Sequence, residues 1–261
     1  MPRSAILNVM FAAASKAARG LKRDFGEVEN LQVSRKGPAD FVSAADHRAE
    51  EVIRAELHRA RPDYGFLMEE SGETRGRDPQ HRWIVDPLDG TTNFLHGIPH
   101  FAISIALERQ GRLQAALVYA PLADELFSAE RGGGAFLNDR RLRVAARSVL
   151  ADCVVATGMP FKGHGEHDRY LRELAALMPA VAGIRRFGAA ALDLAWVAAG
   201  RFDGFWERAL SPWDMAAGSL IIREAGGYVT DLDGGDAMLE KGHIAAGNEA
   251  VHRQLLTLLR E

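Results

Sequence analysis

Apolar and polar positions change period several times along this chain, and those changes predict its elements. From Ser4 onward, Ile6, Leu7, Met10 and Phe11 fall on one side of a helical wheel, so an amphipathic helix opens the sequence. Ser43 is placed to cap a second helix running from Ala44 to Arg59, and Pro62 stops it. Tyr64 to Met68 and Trp83 to Val85 are short apolar runs that read as buried strands, the second ending at Asp86-Pro87. Phe101, Ile103, Ile105 and Leu107 then alternate with smaller residues, Gln110-Gly111 turns the chain, and Leu113 to Tyr119 runs back, which predicts a hairpin. Gly132-Gly133-Gly134 marks a tight loop.

Beyond that loop the pattern alternates differently. His167 to Met178, Ala189 to Ala199, Trp213 to Ala225 and Asn248 to Leu259 read as helices. Short apolar runs lie between them at Val154 to Ala156, Phe202 to Trp206, Tyr228 to Thr230 and Ile244 to Ala246. The first half is therefore α+β with antiparallel pairing, and the second is an α/β layered half. The change falls near residues 140 to 152, giving an N-terminal half, 1–145, and a C-terminal half, 146–261.

Composition narrows the class. A chain of 261 residues holds one or two cores. Its net charge of −3, with no long block of like charge, gives no electrostatic reason to expect nucleic acid. Arg140, Arg141 and Arg143 form one short basic cluster, which reads as a solvated face. The single cysteine, Cys153, has no partner for an internal disulfide and reads as a buried small hydrophobe. No apolar stretch reaches the ~18 residues of a membrane span, and no leader pattern stands at the N-terminus. A soluble, cytoplasmic protein is the expectation.

The chemistry concentrates in carboxylates at the ends of apolar runs. Asp86-Pro87-Leu88-Asp89-Gly90-Thr91-Thr92-Asn93-Phe94 follows a buried strand, and unpaired buried charge is expensive, so these carboxylates need cations or donors. Pro87 holds Asp86 in an extended or turn geometry. Gly90 permits close backbone approach, and Gly90-Thr91-Thr92 offers N–H groups and hydroxyls to a phosphate. Glu69-Glu70 directly follows another apolar run. Asp214 follows Trp213 at the start of an apolar helix, where a helix cap and a metal ligand are equally good readings. Three such clusters of hard oxygen donors suit Mg²⁺, and paired Mg²⁺ ions suit phosphate-ester hydrolysis. His96 and His100 read as loop residues or as supports behind the site.

These residues carry a family resemblance. Trp83 to His96 resembles the first signature of the inositol monophosphatase family, and Trp213 to Gly218, continuing to Glu224-Ala225-Gly226-Gly227, resembles the second. Met68 to Ser71 and Lys36 to Asp46 resemble its upstream acidic and lysine-aspartate segments, so the resemblance runs from about residue 5 to 255. It implies an α-β-α-β-α layered fold, usually a homodimer, lithium sensitivity, and a small phosphorylated polyol or sugar as substrate. Glu69, Asp86 and the Leu88 carbonyl would hold one Mg²⁺, and Asp86, Asp89 and Asp214 a second; Glu69 would also help hold a weaker third. Thr91 would orient the attacking water with Asp46 behind it, Gly90 and Thr91 would meet the phosphate, and Lys36 would lie in a loop near the metals. Gly188, Ala189, Ala190 and Glu207 match positions that contact the inositol ring, although Ala189 replaces a common hydroxyl residue and Arg208 a small or apolar one. Inositol 1-phosphate is the leading substrate; histidinol phosphate, fructose 1,6-bisphosphate and 3′-phosphoadenosine phosphates are handled by relatives. The stretch Arg185 to Asp193 is most similar to the bacterial SuhB-type branch, some of whose proteins act in ribosomal RNA transcription, which opens an RNA polymerase-associated role as an alternative.

Overall fold

The computed structural model of the protein describes residues 4–27, 33–35, 41–161 and 165–260; Lys36 and the side chain of Ser43 lie outside that set. Helix α1 (Ala5–Phe25) is capped by Ser4, whose hydroxyl accepts the Leu7 N–H at 3.2 Å. Strands β1 (Val33–Arg35) and β2 (Phe41–Ser43) form a small antiparallel ribbon leading into α2 (Ala44–Ala60). An eight-stranded sheet follows: β3 (Tyr64–Met68), β4 (Gly72–Thr74), β5 (Asp78–Asp89), then after the short helix α3 (Thr91–Leu95), β6 (Ala102–Arg109), β7 (Arg112–Ala120), β8 (Glu125–Glu130), β9 (Gly134–Leu137) and β10 (Arg140–Arg141). Their order across the sheet is β10-β9-β8-β7-β6-β5-β3-β4, antiparallel throughout except that β3 and β5 run parallel.

The remaining elements build a second sheet and its helices. They are β11 (Val154–Thr157), α4 (His167–Leu177), β12 (Gly183–Arg185), α5 (Ala190–Ala198), β13 (Gly204–Arg208), α6 (Pro212–Glu224), β14 (Tyr228–Thr230), α7 (Met238–Lys241), β15 (His243–Gly247) and α8 (Glu249–Leu258). The sheet order is β12-β11-β13-β15-β14; the first three strands are parallel and β15 runs against both neighbours.

Three apolar clusters stack these parts into α-β-α-β-α layers. Leu7, Met10 and Leu21 of α1 and Ile53 and Leu57 of α2 pack on Trp83, Val85, Ile103, Ile105 and Leu117 of the large sheet. The other face of that sheet meets α5 and α6 through Ala102, Ala106, Ala116 and Val118, and those helices pack in turn on Ala156, Phe205 and Ala246. The alternation of large and small residues in β6 thus has a physical reason: large side chains fill the outer layer, and small ones let the central helices approach, with Ser104 Oγ donating to Trp213 O at 3.1 Å. Cys153, Val155, Leu177, Trp206 and Leu255 fill the last layer under α4 and α8.

The expected helices and hairpin form with ends shifted by a residue or two, as helix ends fray. The strand expected at Trp83 to Val85 is longer, running from Asp78 through Pro87 to Asp89. It survives the proline because register shifts between Asp86 and Asp89, a bulge in which a missing N–H costs no ladder bond. The arginines at 140, 141 and 143 are exposed, and Cys153 is buried with its thiol toward Val149 O at 3.1 Å.

Candidate active site

Met68 of β3 lies opposite Val85 of β5 in parallel register, so Glu69 and Asp86 leave the same end of the sheet. The Glu69 N–H donates to Val85 O at 3.2 Å and extends the pairing by one step. The next N–H, of Glu70, donates to Glu50 Oε2 of α2 at 2.9 Å, which fixes the turn. Asp46, in the first turn of α2, completes this side: carboxylate oxygens of Asp46, Glu69 and Glu70 lie within 4.8 Å of one another.

The bulge in β5 aims the next groups. Asp86 Oδ1 accepts the Leu88 N–H at 2.9 Å, an Asx turn that points the Leu88 carbonyl toward Thr91. Thr91 Oγ1 sits 3.0 Å from that carbonyl and 3.2 Å from Asp46 Oδ2. Gly90, with φ of 91°, makes the turn; a β-carbon there would lie 2.9 Å from His100 O and 3.1 Å from the Ala189 β-carbon. The turn is therefore closed against the second half of the chain.

That half supplies two helix starts. The Leu192 N–H, in the first turn of α5, donates to Asp89 Oδ2 at 3.2 Å. Asp214 stands three residues after Ser211 and accepts the Ser211 N–H at 2.7 Å. Of the two readings of Asp214, the cap position itself belongs to Ser211, and Asp214 spends one oxygen securing it.

Electrostatics tie the carboxylates together. Burial pushes the Asp86 carboxyl well above its usual range, and the charges of Glu69, Asp89, Asp214 and Asp46 push it further. Asp89 rises to about 8, again chiefly from burial, with the Leu192 N–H opposing and Asp193 and Glu69 adding. Asp214 rises to about 7 from burial and the Asp89 charge, opposed by the Ser211 N–H. Such a set ionises readily only beside a cation. Its donors are carboxylates and one carbonyl, with no thiol or imidazole among them, which fits a hard divalent ion such as Mg²⁺.

Glu207 is the penultimate residue of β13, half-buried. Burial first, then Asp193, Asp214 and Asp89, hold its carboxyl well above the ordinary range, and Arg186 opposes them. Gly188 has φ of 82°, with the Arg186 guanidinium where a β-carbon would reach. Ala189 and Ala190 are buried at the start of α5, Ala189 against Gly90. Of the sequence-derived residues, the structure thus gathers Asp46, Glu69, Asp86, Leu88, Asp89, Gly90, Thr91, Asp214 and Glu207, with Gly188 to Ala190 forming the adjoining wall. Lys36 lies outside the described residues.

Three neighbours were not singled out from sequence as site residues: Arg186, Asn93 and Asp193. Asn93 Nδ2 donates to His100 O at 2.8 Å and to Phe187 O at 2.7 Å, and His100 Nε2 lies 3.1 Å from Asp193 Oδ1. His100 is thus a support behind the site, as its position suggested. The signal for Asp193 was available: a lone carboxylate inside the apolar helix Ala190–Ala198 needs a buried partner.

Five alternating layers, with an all-oxygen acidic centre where the two sheets' helices and strand ends converge, define a layered α/β protein with a carboxylate cluster that could hold a metal ion. The sequence pattern of the Inositol monophosphatase family matches residues 3–261, and the chain belongs to that family. An Inositol-1-monophosphatase of Mesorhizobium japonicum is 64% identical over 261 residues, covering 100% of this chain and 98% of that protein. The crystal structure of extragenic suppressor protein suhB from Bartonella henselae superposes with a TM-score of 0.96 at 63% identity, covering 99% of each chain. A Nus factor SuhB of Pseudomonas aeruginosa is 47% identical over 259 residues, 98% of this chain and 96% of that one.

Proposed function

We propose that this protein is a Mg²⁺-dependent phosphatase that hydrolyses a small phosphate monoester, inositol 1-phosphate, to inositol and phosphate. The observation that carries this reading is the convergence of Asp86, Asp89 and Asp214, whose carboxyls are all pushed upward by burial and by one another. The name borne by relatives at more than 60% identity supports the choice of ester. Glu69, Asp86 and the Leu88 carbonyl would hold one ion, and Asp86, Asp89 and Asp214 a second. Bound Mg²⁺ would supply Lewis-acid neutralisation of charge at the phosphate and at the departing ester oxygen.

The chain's own groups do the rest. Thr91 Oγ1, held between Asp46 and Leu88 O, orients the attacking water. The N–H groups at Gly90 and Thr91 receive phosphate oxygens. Asp89, Glu207 and the backbone from Gly188 through Ala189 to Ala190 receive the hydroxyls of the leaving alcohol. Within this reading Lys36 belongs near the metals, and the protein works in the cytoplasm as a homodimer. Among the described residues no helix is long and apolar enough to cross a membrane.

Steady-state phosphate release tests the reading with inositol 1-phosphate, histidinol phosphate, fructose 1,6-bisphosphate and 3′-phosphoadenosine 5′-phosphate side by side. The expected result is the highest kcat/KM for inositol 1-phosphate, strict dependence on Mg²⁺, and loss of turnover in Asp89→Asn. Full activity in Asp89→Asn would sink the mechanism. Preference for another ester would move the assignment to a sibling phosphatase. The relatives called Nus factors favour a second reading, contact with the transcription machinery; retention of RNA polymerase on immobilised Asp89→Asn protein would support it.

A further inference from the structure

The carboxyl group of Glu207 lies directly over the α-carbon of Gly158. A β-carbon on Gly158 would come within 1.7 Å of Glu207 Oε1, 2.0 Å of Cδ and 2.5 Å of Oε2. Register explains the closeness: Thr157 of β11 is opposite Trp206 of β13 in parallel pairing, so Gly158 and Glu207 are the next residues on neighbouring strands. The Thr157 hydroxyl donates to Gly158 O at 2.9 Å within the core and holds that peptide in place.

The strand under Glu207 is held from α4. Residues 206 and 208 point away from the side that carries 207. One oxygen of Glu173, a buried residue of α4, accepts Trp206 Nε1 at 3.3 Å, and the other accepts Arg208 Nε at 2.6 Å. Arg208, unusual for the family resemblance, therefore has a structural partner. Glu207 is left between a clamped strand and a bare α-carbon, facing the charges of Asp89, Asp193 and Asp214.

We propose that Gly158 is a specificity-determining position: its missing side chain lets the Glu207 carboxyl group lie where it receives the hydroxyls of a polyol leaving group, and Glu173 positions the strand beneath. This rests on the phosphatase reading above and on Glu207 meeting the alcohol. Gly158 has no positive φ, so alanine fits its backbone. The atoms that alanine would strike are the far end of a flexible side chain. Gly158→Ala therefore keeps the fold and displaces Glu207.

The experiment compares kcat and KM for inositol 1-phosphate with those for p-nitrophenyl phosphate, whose leaving group carries no array of hydroxyls, at saturating Mg²⁺. In Gly158→Ala, kcat/KM for inositol 1-phosphate relative to p-nitrophenyl phosphate falls roughly tenfold, mainly through KM, as loss of a well-placed hydrogen bond to the alcohol requires. Shortening the acid in Gly158→Ala/Glu207→Asp clears the methyl group and restores part of the ratio. Glu173→Gln shifts the ratio in the same direction as Gly158→Ala. An unaltered ratio in Gly158→Ala, or an equal loss on both esters, overturns the proposal. Absence of turnover on both esters in the wild-type protein overturns instead the phosphatase reading on which it stands.

Discussion

Leu192 and Asp89 are 103 residues apart, and the backbone N–H of the first donates to the carboxylate of the second across 3.2 Å. The bond joins the start of a helix in the second half to the bulged strand end of the first. A helix N-terminus favours a carboxylate in its ionised form, so α5 works against the burial that would neutralise Asp89. The acidic centre is therefore complete only when the two halves are packed together, with Gly90 against Ala189 and Ser104 against Trp213 O.

The raised carboxyls make stability depend on pH. Asp89 and Asp214 have values of about 8 and about 7 in the fold, against 3.8 in the free side chain, and Asp86 is raised too. Between those limits the folded protein binds more protons than the unfolded chain, so stability falls as pH rises. This contribution is complete below the unfolded value and lost through the folded values. Without metal, Tm is expected to drop between about pH 5 and about pH 8. Added Mg²⁺ should raise Tm more at the upper end, where the carboxylates are free of protons. Asp89→Asn should flatten the metal-free slope. Thermal unfolding over this range, with and without Mg²⁺, measures all three; a metal-free Tm that climbs with pH would contradict the assignment of these shifts.

Much of this centre was legible in the sequence because each acid stands at the edge of an apolar segment, where a buried charge needs a partner. Glu69 after Met68, Asp86 and Asp89 after Val85, and Asp214 after Trp213 all carry that mark. The five-layer order followed from the family resemblance together with the switch from antiparallel hairpins to β–α alternation. What escaped is made by pairs distant in sequence. Gly158 under Glu207, and His100 beside Asp193, have no local period that announces them. Strands as short as β10, β12 and β4 span two or three residues, too few for any alternation to register. The continuation of β5 through Pro87 needed knowledge of the bulge, which depends on pairing with β6.

Thr91 offers a narrower test. Its hydroxyl lies within reach of both Asp46 Oδ2 and Leu88 O, and its single proton satisfies one of them at a time. Replacing it by alanine removes the group assigned to orient the water. Thr91→Ala should lower kcat by roughly 10²-fold while leaving KM within a few-fold, the loss typical of a positioned proton-handling group. Thr91→Ser keeps the hydroxyl and should retain most of the activity. Stability should fall by only about 1 kcal/mol, the net worth of an ordinary hydrogen bond. Parallel kinetics and thermal melts distinguish this from a folding defect; an unaltered kcat in Thr91→Ala would remove Thr91 from the mechanism.

Gly218 sets two local effects against each other, and their magnitudes decide the outcome. It lies inside α6, buried, where glycine is less favourable than alanine by about 1 kcal/mol, so helix propensity alone says that Gly218→Ala stabilises. A β-carbon there, however, would sit 2.5 Å from the β-carbon of Leu194 and 2.8 Å from its Cδ1. The Leu194 β-carbon is fixed to the α5 backbone and has no rotamer by which to withdraw, so α5 and α6 must move apart. Overpacking of this kind costs about 1–3 kcal/mol, at least as much as the propensity gain. The net expectation is a lower Tm. The same separation shifts the Leu192 N–H on α5 relative to Asp214 on α6, so more Mg²⁺ should be needed for half-maximal activity while KM for the ester changes little. Thermal melts and Mg²⁺ titrations of Gly218→Ala test both. A variant that melts higher and responds to Mg²⁺ like the wild type would mean that the two helices part freely, and that their close approach is not what holds the two halves of the acidic centre in place.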